Sequence, residues 1–137
     1  MNAQAPRPLR VVLIEDSEVL RDLLSGMLGG IDRLEIVGSA DNEADSLVVL
    51  RRERPDLVIV DLELRAGSGL GVLAAIQAAP ERFGAPRAVV FSNHAHAVVQ
   101  AKCRMLGAVA FFDKSFQMDE LLFFVEGEAG ARAAATA

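Results

Sequence analysis

Apolar positions along the chain follow two alternating rhythms. Short runs rich in β-branched residues occupy Leu9–Ile14, Leu34–Val37, Leu57–Val60, Ala88–Phe91 and Ala108–Phe112. After each comes a stretch whose apolar residues recur at helical spacing. The first holds Val19, Leu20, Leu23, Leu24, Met27 and Leu28, and the second Ala44, Leu47 and Val48. Leu70, Leu73 and Ile76 form the third, and Val98, Val99, Cys103 and Leu106 the fourth. The last is Met118, Leu121, Leu122 and Val125. The first rhythm predicts strands and the second amphipathic helices. Ser17, Asp41 and Ser115 stand where N-caps belong, and Pro55 and Pro86 precede strands instead of interrupting them. Strands apolar on both faces that alternate with helices predict a three-layer (βα)5 α/β fold around a central five-stranded parallel sheet. Residues 1–8 are expected to be disordered or extended, 9–127 to form one domain, and 128–137 to be an alanine-rich, frayed tail with no output domain after it.

Composition narrows the function without naming it. A chain of 137 residues, 52% hydrophobic and 24% charged, is long enough to bury one core. Its net charge of -5 and the lack of a basic cluster argue against nucleic acid as a partner. No apolar run approaches the ~18 residues of a membrane span, and the N-terminus lacks the apolar segment of a secretory signal. A single cysteine, Cys103, excludes an internal disulfide and suits a reducing compartment, so the expected location is cytoplasmic. Cys103 itself reads as a core residue of the fourth helix.

In open parallel sheets ligands bind beyond the carboxyl ends of the strands. Here strand one ends in Glu15–Asp16, strand three in Asp61, strand four in Ser92–Asn93, and strand five runs into Asp113–Lys114. Singly, each residue has an ordinary use as a cap, a turn residue or a solvated lysine. Together they place acids, a hydroxyl and one of only two lysines on one edge of the sheet. Crowded carboxylates raise one another's pKa unless a cation joins them, and ligands that are all oxygen favour a hard ion.

The segments "VVLIEDSEVLR", "DLVIVDLELRAGSGLGVL", "AVVFSNHA" and "GAVAFFDKS" together resemble the receiver domain of bacterial two-component response regulators. The resemblance covers residues 9 to 127 and implies a flavodoxin-like fold. It makes Asp61 the phosphoacceptor, which takes a phosphoryl group from a sensor histidine kinase or a histidine phosphotransfer protein. Glu15 and Asp16 match the acidic pair that holds Mg²⁺ (or Mn²⁺), Asp16 directly and Glu15 through water, and the Glu63 backbone carbonyl would be a further ligand beside Asp61. Ser92 matches the hydroxyl that binds a phosphoryl oxygen, and Lys114 the lysine that neutralises another. Phe111 matches the aromatic switch position, expected to turn inward as Ser92 moves toward the phosphoryl group. Glu63, Asn93 and His94 stand where side chains would tune dephosphorylation.

The chain departs from the family pattern at several points. Glu15 replaces the commoner aspartate, Arg65 a proline after the acceptor, and Asn93 a small residue after Ser92. Ser115 replaces the proline that follows the lysine, and without proline a trans Lys114–Ser115 bond is the expectation. Phe111 and Phe112 alternate along a strand, so one or both can be plain core. His94 and His96 point apart at i,i+2 spacing and read as ordinary. Phe116 and Phe123 fall together on a helical wheel, either packed by the tail or a loop or forming a face for a downstream protein or a second copy. Two other readings stay open: a receiver-like interaction module that never accepts phosphate, and, remotely, an aspartyl-nucleophile phosphatase of the haloacid dehalogenase type. The latter wants an aspartate where Glu63 stands and a nucleophile after the first strand. No turnover of an external substrate is expected.

Overall fold

The computed structural model describes residues 7–93 and 96–136. Five strands and five helices alternate strictly: β1 (Leu9–Ile14), α1 (Glu18–Gly29), β2 (Leu34–Ala40), α2 (Glu43–Glu53), β3 (Leu57–Val60), α3 (Gly69–Ala78), β4 (Arg87–Ser92), α4 (Ala97–Met105), β5 (Ala110–Asp113) and α5 (Met118–Thr136). A short 3-10 turn at Pro80–Phe83 links α3 to β4. The strands form one parallel sheet in the order β2-β1-β3-β4-β5.

The period of two along each strand divides the core between the sheet's faces. Val12, Ile14, Val58, Val60 and Val90 pack with Val49 and Leu50 of α2, Val72, Leu73 and Ile76 of α3, and Cys103 of α4. Val11, Leu13, Leu57, Ile59, Val89 and Phe91 pack with Leu24 and Leu28 of α1 and Leu121, Val125 and Ala129 of α5. This is the doubly covered sheet that the continuous apolar strands predict. The chain winds from β1 outward to β2, then returns across β1 to lay down β3, β4 and β5 on its other side. The reversal falls between β1 and β3, where an open sheet leaves a crevice at the carboxyl ends of its strands.

Several expectations are corrected. β2 does not stop at Val37: a register shift at Val11/Val12 leaves Val37 unpaired, and the strand resumes with Val12 opposite Gly38 and runs to Ala40. Gly38 has no side chain because α2 comes close there; a Cβ would lie 2.8 Å from Val49 Cγ1. The α2 N-cap is Asn42, not Asp41; Asn42 Oδ1 accepts from the Asp45 N–H, while Asp41 turns to Arg65 at 3.1 Å. Nor does Ser115 cap α5. Asp113 Oδ1 takes the Ser115 N–H and the Asp113 carbonyl takes that of Gln117, so a turn forms and the helix begins only at Met118. Strand five starts later than expected, at Ala110.

The alanine-rich end is no frayed tail. It continues α5 to Thr136, as suits the residue with the highest helix propensity. Ala129 is buried, Glu128 meets Arg87 at 2.6 Å, and Arg132 meets Asp56 at 3.1 Å, so this half of the helix is tied to the amino-terminal edge of the sheet. The α1 stripe is wider than its contact: Leu24 and Leu28 are buried, whereas Val19 and Leu23 are exposed. Phe116 lies before α5 and not on it. Neither it nor Phe123 is packed by a tail or loop; both stand more than three-quarters exposed. No helix among the described residues is long and apolar enough to cross a membrane.

Candidate functional site

Strand register assembles the site. Ile14 pairs with Val60, and the Asp61 N–H donates to the Ile14 carbonyl at 2.9 Å, so Glu15 and Asp61 emerge side by side at the topological reversal. Ser92 pairs with Asp113 at the end of β4 and β5, and the Lys114 N–H donates to the Ser92 carbonyl at 3.1 Å. That bond, with the Asp113–Gln117 turn, holds the lysine backbone in place. There is no cis peptide bond among the described residues, so Lys114–Ser115 is trans as expected.

Glu15, Asp16, Ser17, Asp61, Glu63, Ser92, Asn93 and Lys114 line one cleft of about 310 Å³. A cleft of about 410 Å³ along the β2 edge, bounded by Arg21, Asp41, Val48 and Arg52, is larger. It contains none of the buried polar side chains, whereas the smaller cleft contains Glu15, Asp61 and Ser92. The remaining two, Asn42 and Ser46, serve the start of α2. Buried polar groups persist only where they are paired, so the smaller cleft is the chemically organised one.

Its centre is Lys114. Nζ lies 2.7 Å from Asp61 Oδ2 and 2.7 Å from Glu15 Oε1. The other Glu15 oxygen accepts the Ser17 N–H at 3.0 Å, and Asp61 Oδ1 accepts the Glu63 N–H at 3.3 Å. Burial, helped by the neighbouring Asp61 charge, pushes the Glu15 carboxyl up, against the lowering effect of Lys114 and of the Ser17 hydrogen bond. For Lys114, burial works against the charge, but the hydrogen bonds to Asp61 and Glu15 together with the charges of both carboxylates outweigh it and its pKa rises. Carboxylate oxygens of Glu15, Asp16 and Asp61 lie within 4.8 Å of one another. One ammonium against three carboxylates leaves the cluster short of positive charge, and an all-oxygen donor set fits a hard divalent cation.

The loop after Asp61 is drawn tight. The Gly69 N–H donates to the Leu62 carbonyl at 3.0 Å, Glu63 and Ser68 form an antiparallel bridge, and a Cβ on Gly69 would overlap the Asp61 carbonyl oxygen. Gly67 holds φ +76°, which suits glycine. Arg65, in place of the expected proline, contributes an N–H to the Asp41 carbonyl at 3.0 Å and a side chain to the Asp41 carboxylate. The loop is therefore stitched to the start of α2.

The structure thus brings together Glu15, Asp16, Asp61, Glu63, Ser92, Asn93 and Lys114. Phe111 is half-buried and packs on the α2–α3–α4 side of the sheet, while Phe112 faces the other side, its ring centroid 5.7 Å from that of Phe124. Phe116 and Phe123 lie outside the cleft. His94 lies outside the described residues. One contributor escaped the sequence reading: Arg21 Nη1 donates to the Glu15 carbonyl at 2.7 Å and braces the acidic turn. Its spacing, one helical turn past the N-cap Ser17, was the available signal.

A parallel five-stranded sheet with an acidic cluster and a lysine at its reversal defines a receiver-type α/β protein. The model of the response regulator receiver domain matches residues 11–126, and the chain belongs to that family. Among curated proteins it is 33% identical over 110 residues to protein-glutamate methylesterase/protein-glutamine glutaminase 1 of Syntrophomonas wolfei, a match spanning 77% of this chain and 29% of that protein. The chain thus spans under a third of that relative. Among solved structures it superposes on the response regulator domain of Thermotoga maritima CheB with TM-score 0.78 and 19% identity, covering 93% of this chain and 98% of that one. A LuxR-family two-component response regulator from Aurantimonas sp. SI85-9A1 gives TM-score 0.80 and 23% identity over 91% and 87% of the two chains. These two likenesses are likenesses of fold.

Proposed function

We propose that this receiver accepts a phosphoryl group on Asp61 and signals through the resulting change of surface. The observation that carries the reading is the Lys114 ammonium, set 2.7 Å from both Asp61 and Glu15 in a cleft that also holds Asp16 and Ser92. An Asp61 carboxylate oxygen attacks the phosphorus of a phosphohistidine. The new P–O bond forms as the P–N bond breaks, and the electron pair leaves with the imidazole nitrogen. A carboxylate nucleophile splits the overall transfer to water into two easier steps. Catalysis of this kind is chiefly positioning, with positive charge where the phosphoryl oxygens gather negative charge.

In this reading Lys114 neutralises one phosphoryl oxygen and the Ser92 hydroxyl donates to another. Glu15, Asp16, Asp61 and the Glu63 carbonyl would hold Mg²⁺ (or Mn²⁺), whose charge supplies the remaining neutralisation when bound. Asp16 is exposed and has room for a direct bond, whereas both Glu15 oxygens already accept hydrogen bonds, in keeping with contact through water. Asn93 and Glu63 line the cleft, which supports a role for their side chains in water access and so in the lifetime of the phosphoryl group. Phe111 is the candidate switch, reporting the movement of Ser92 to the face formed by α4, β5 and α5. The donor is a sensor histidine kinase or a histidine phosphotransfer protein in the cytoplasm. The exposed Phe116 and Phe123 offer a face to a downstream protein or a second copy.

Intact-protein mass spectrometry with Mg²⁺ and acetyl phosphate tests this. One added phosphoryl group in the wild type, absent in Asp61→Ala, is the expected result. No adduct, together with no binding of beryllium fluoride and Mg²⁺, would overturn the reading in favour of a phosphate-independent interaction module.

A further inference from the structure

The loop that carries the acceptor is held by a side chain from a different element. Helix α3 begins at its N-cap Ser68, whose Oγ accepts the Leu70 N–H at 2.9 Å. In a capping box, a glutamate three residues on would reach back to the N-cap N–H. Here that position is Gly71, and α3 has no acidic residue in its first turn. The carboxylate comes instead from Glu43, the first residue of α2: its Oε1 accepts the Ser68 N–H at 2.9 Å.

The fit is steric as well as polar. A Cβ on Gly71 would overlap the Glu43 carboxylate, and one on Gly67 would lie 2.7 Å from Glu43 Oε1. Glu43 therefore fills the space a side chain at Gly71 would take and completes the box in trans. Its own N–H donates to the Ala66 carbonyl at 2.9 Å. A carboxylate at this end also suits the helix dipole.

The geometry points to Glu43 as a positioning residue for the metal centre: through Ser68 it fixes Glu63, whose backbone carbonyl is a proposed ligand. The connection is short, because Ser68 and Glu63 form an antiparallel bridge. This inference rests on the metal-dependent function proposed above. Outer partners of metal ligands are worth ten- to a hundredfold in affinity, and Glu43, two residues removed, belongs at the low end.

The test is Mg²⁺ titration followed by backbone amide NMR shifts, with the melting temperature measured beside it. Glu43→Ala should bind Mg²⁺ about tenfold more weakly than wild type. Glu43→Gln keeps an acceptor for the Ser68 N–H and should retain affinity. Glu43→Ala/Gly71→Glu moves the carboxylate into α3 and should restore it. A Glu43→Ala variant that melts lower but binds Mg²⁺ as wild type does would reduce Glu43 to a structural cap and overturn the inference. Equal weakening in Glu43→Ala and Glu43→Gln would overturn it too, since charge at a distance would then be the cause. A wild type that binds no Mg²⁺ would remove the functional reading and this inference with it.

Discussion

Replacing Glu15 by glutamine should stabilise the metal-free protein, although it removes a salt bridge. The side chain is 2% exposed and its carboxylate shares a cluster with those of Asp16 and Asp61. At the 4.8 Å that bounds their separations and an effective dielectric of about 20, a like-charged pair costs roughly 3.5 kcal/mol. The Lys114 contact at 2.7 Å returns roughly 6 kcal/mol on the same scale. Attraction and repulsion nearly cancel, so the desolvation of a buried charge decides the sign. Glutamine is isosteric and leaves Lys114 paired with Asp61. Its single oxygen can accept from the Ser17 N–H or from Lys114 and not from both, so the loss of one hydrogen bond offsets part of the desolvation relieved.

The expected gain is of order 1 kcal/mol, or about 4 °C in melting temperature for a domain of this size. With neither tryptophan nor tyrosine in the chain, far-ultraviolet circular dichroism in EDTA is the suitable probe. The pH dependence has a definite sign. A carboxyl whose folded pKa is raised favours the fold at low pH and loses that contribution as pH rises through the raised value. The advantage of Glu15→Gln should therefore be full at neutral pH and vanish below about 4.5, where wild-type Glu15 is protonated in both states. On the proposed metal-dependent reading, saturating Mg²⁺ should narrow the gap, because it would bind the wild type more tightly than the variant and stabilise it by mass action. A variant that melts at or below wild type in EDTA at neutral pH, or a gap that does not change with pH, would refute the view that the cluster is under electrostatic strain.

Cys103 and Arg132 give two further expected outcomes. Burial pushes the Cys103 thiol up and its side chain is fully enclosed, so Ellman's reagent should leave the native protein untouched and react with one thiol per chain in denaturant. Arg132→Ala should release the last turns of α5 by removing the pair with Asp56, at a cost of about 1 kcal/mol for so partly exposed a contact. Faster amide exchange from Ala129 onward is the readout, and unchanged protection there would mean that the Arg132–Asp56 pair is not what holds the end.

Much of the molecule was legible because its two rhythms are unambiguous. Continuous β-branched runs such as Leu57–Val60 can satisfy their environment only when covered on both faces, and alternation with helical stretches then forces a parallel sheet. The acidic pair, Asp61, Ser92 and Lys114 all fall at strand ends, so parallel strands alone bring them to one edge. For that reason these members of the cleft are legible in the sequence. Boundaries were less legible, because they depend on bonds between segments distant in sequence. Asp41 stands where a cap belongs, yet in the fold Asn42 accepts the Asp45 N–H while Asp41 pairs with Arg65, 24 residues away.

Strand types, layers and cleft residues are therefore properties of the sequence alone, since they follow from local periodicity and the directionality of a parallel sheet. Tertiary structure decided what depends on where unrelated segments meet. It chose which half of the α1 stripe is buried, turned the alanine-rich end into a tethered helix, left Phe116 and Phe123 bare, and set Lys114 between two carboxylates. Glu43 shows the reason most clearly. Nothing in its neighbourhood along the chain marks it, and its partner lies 25 residues away in a helix start that lacks its own glutamate.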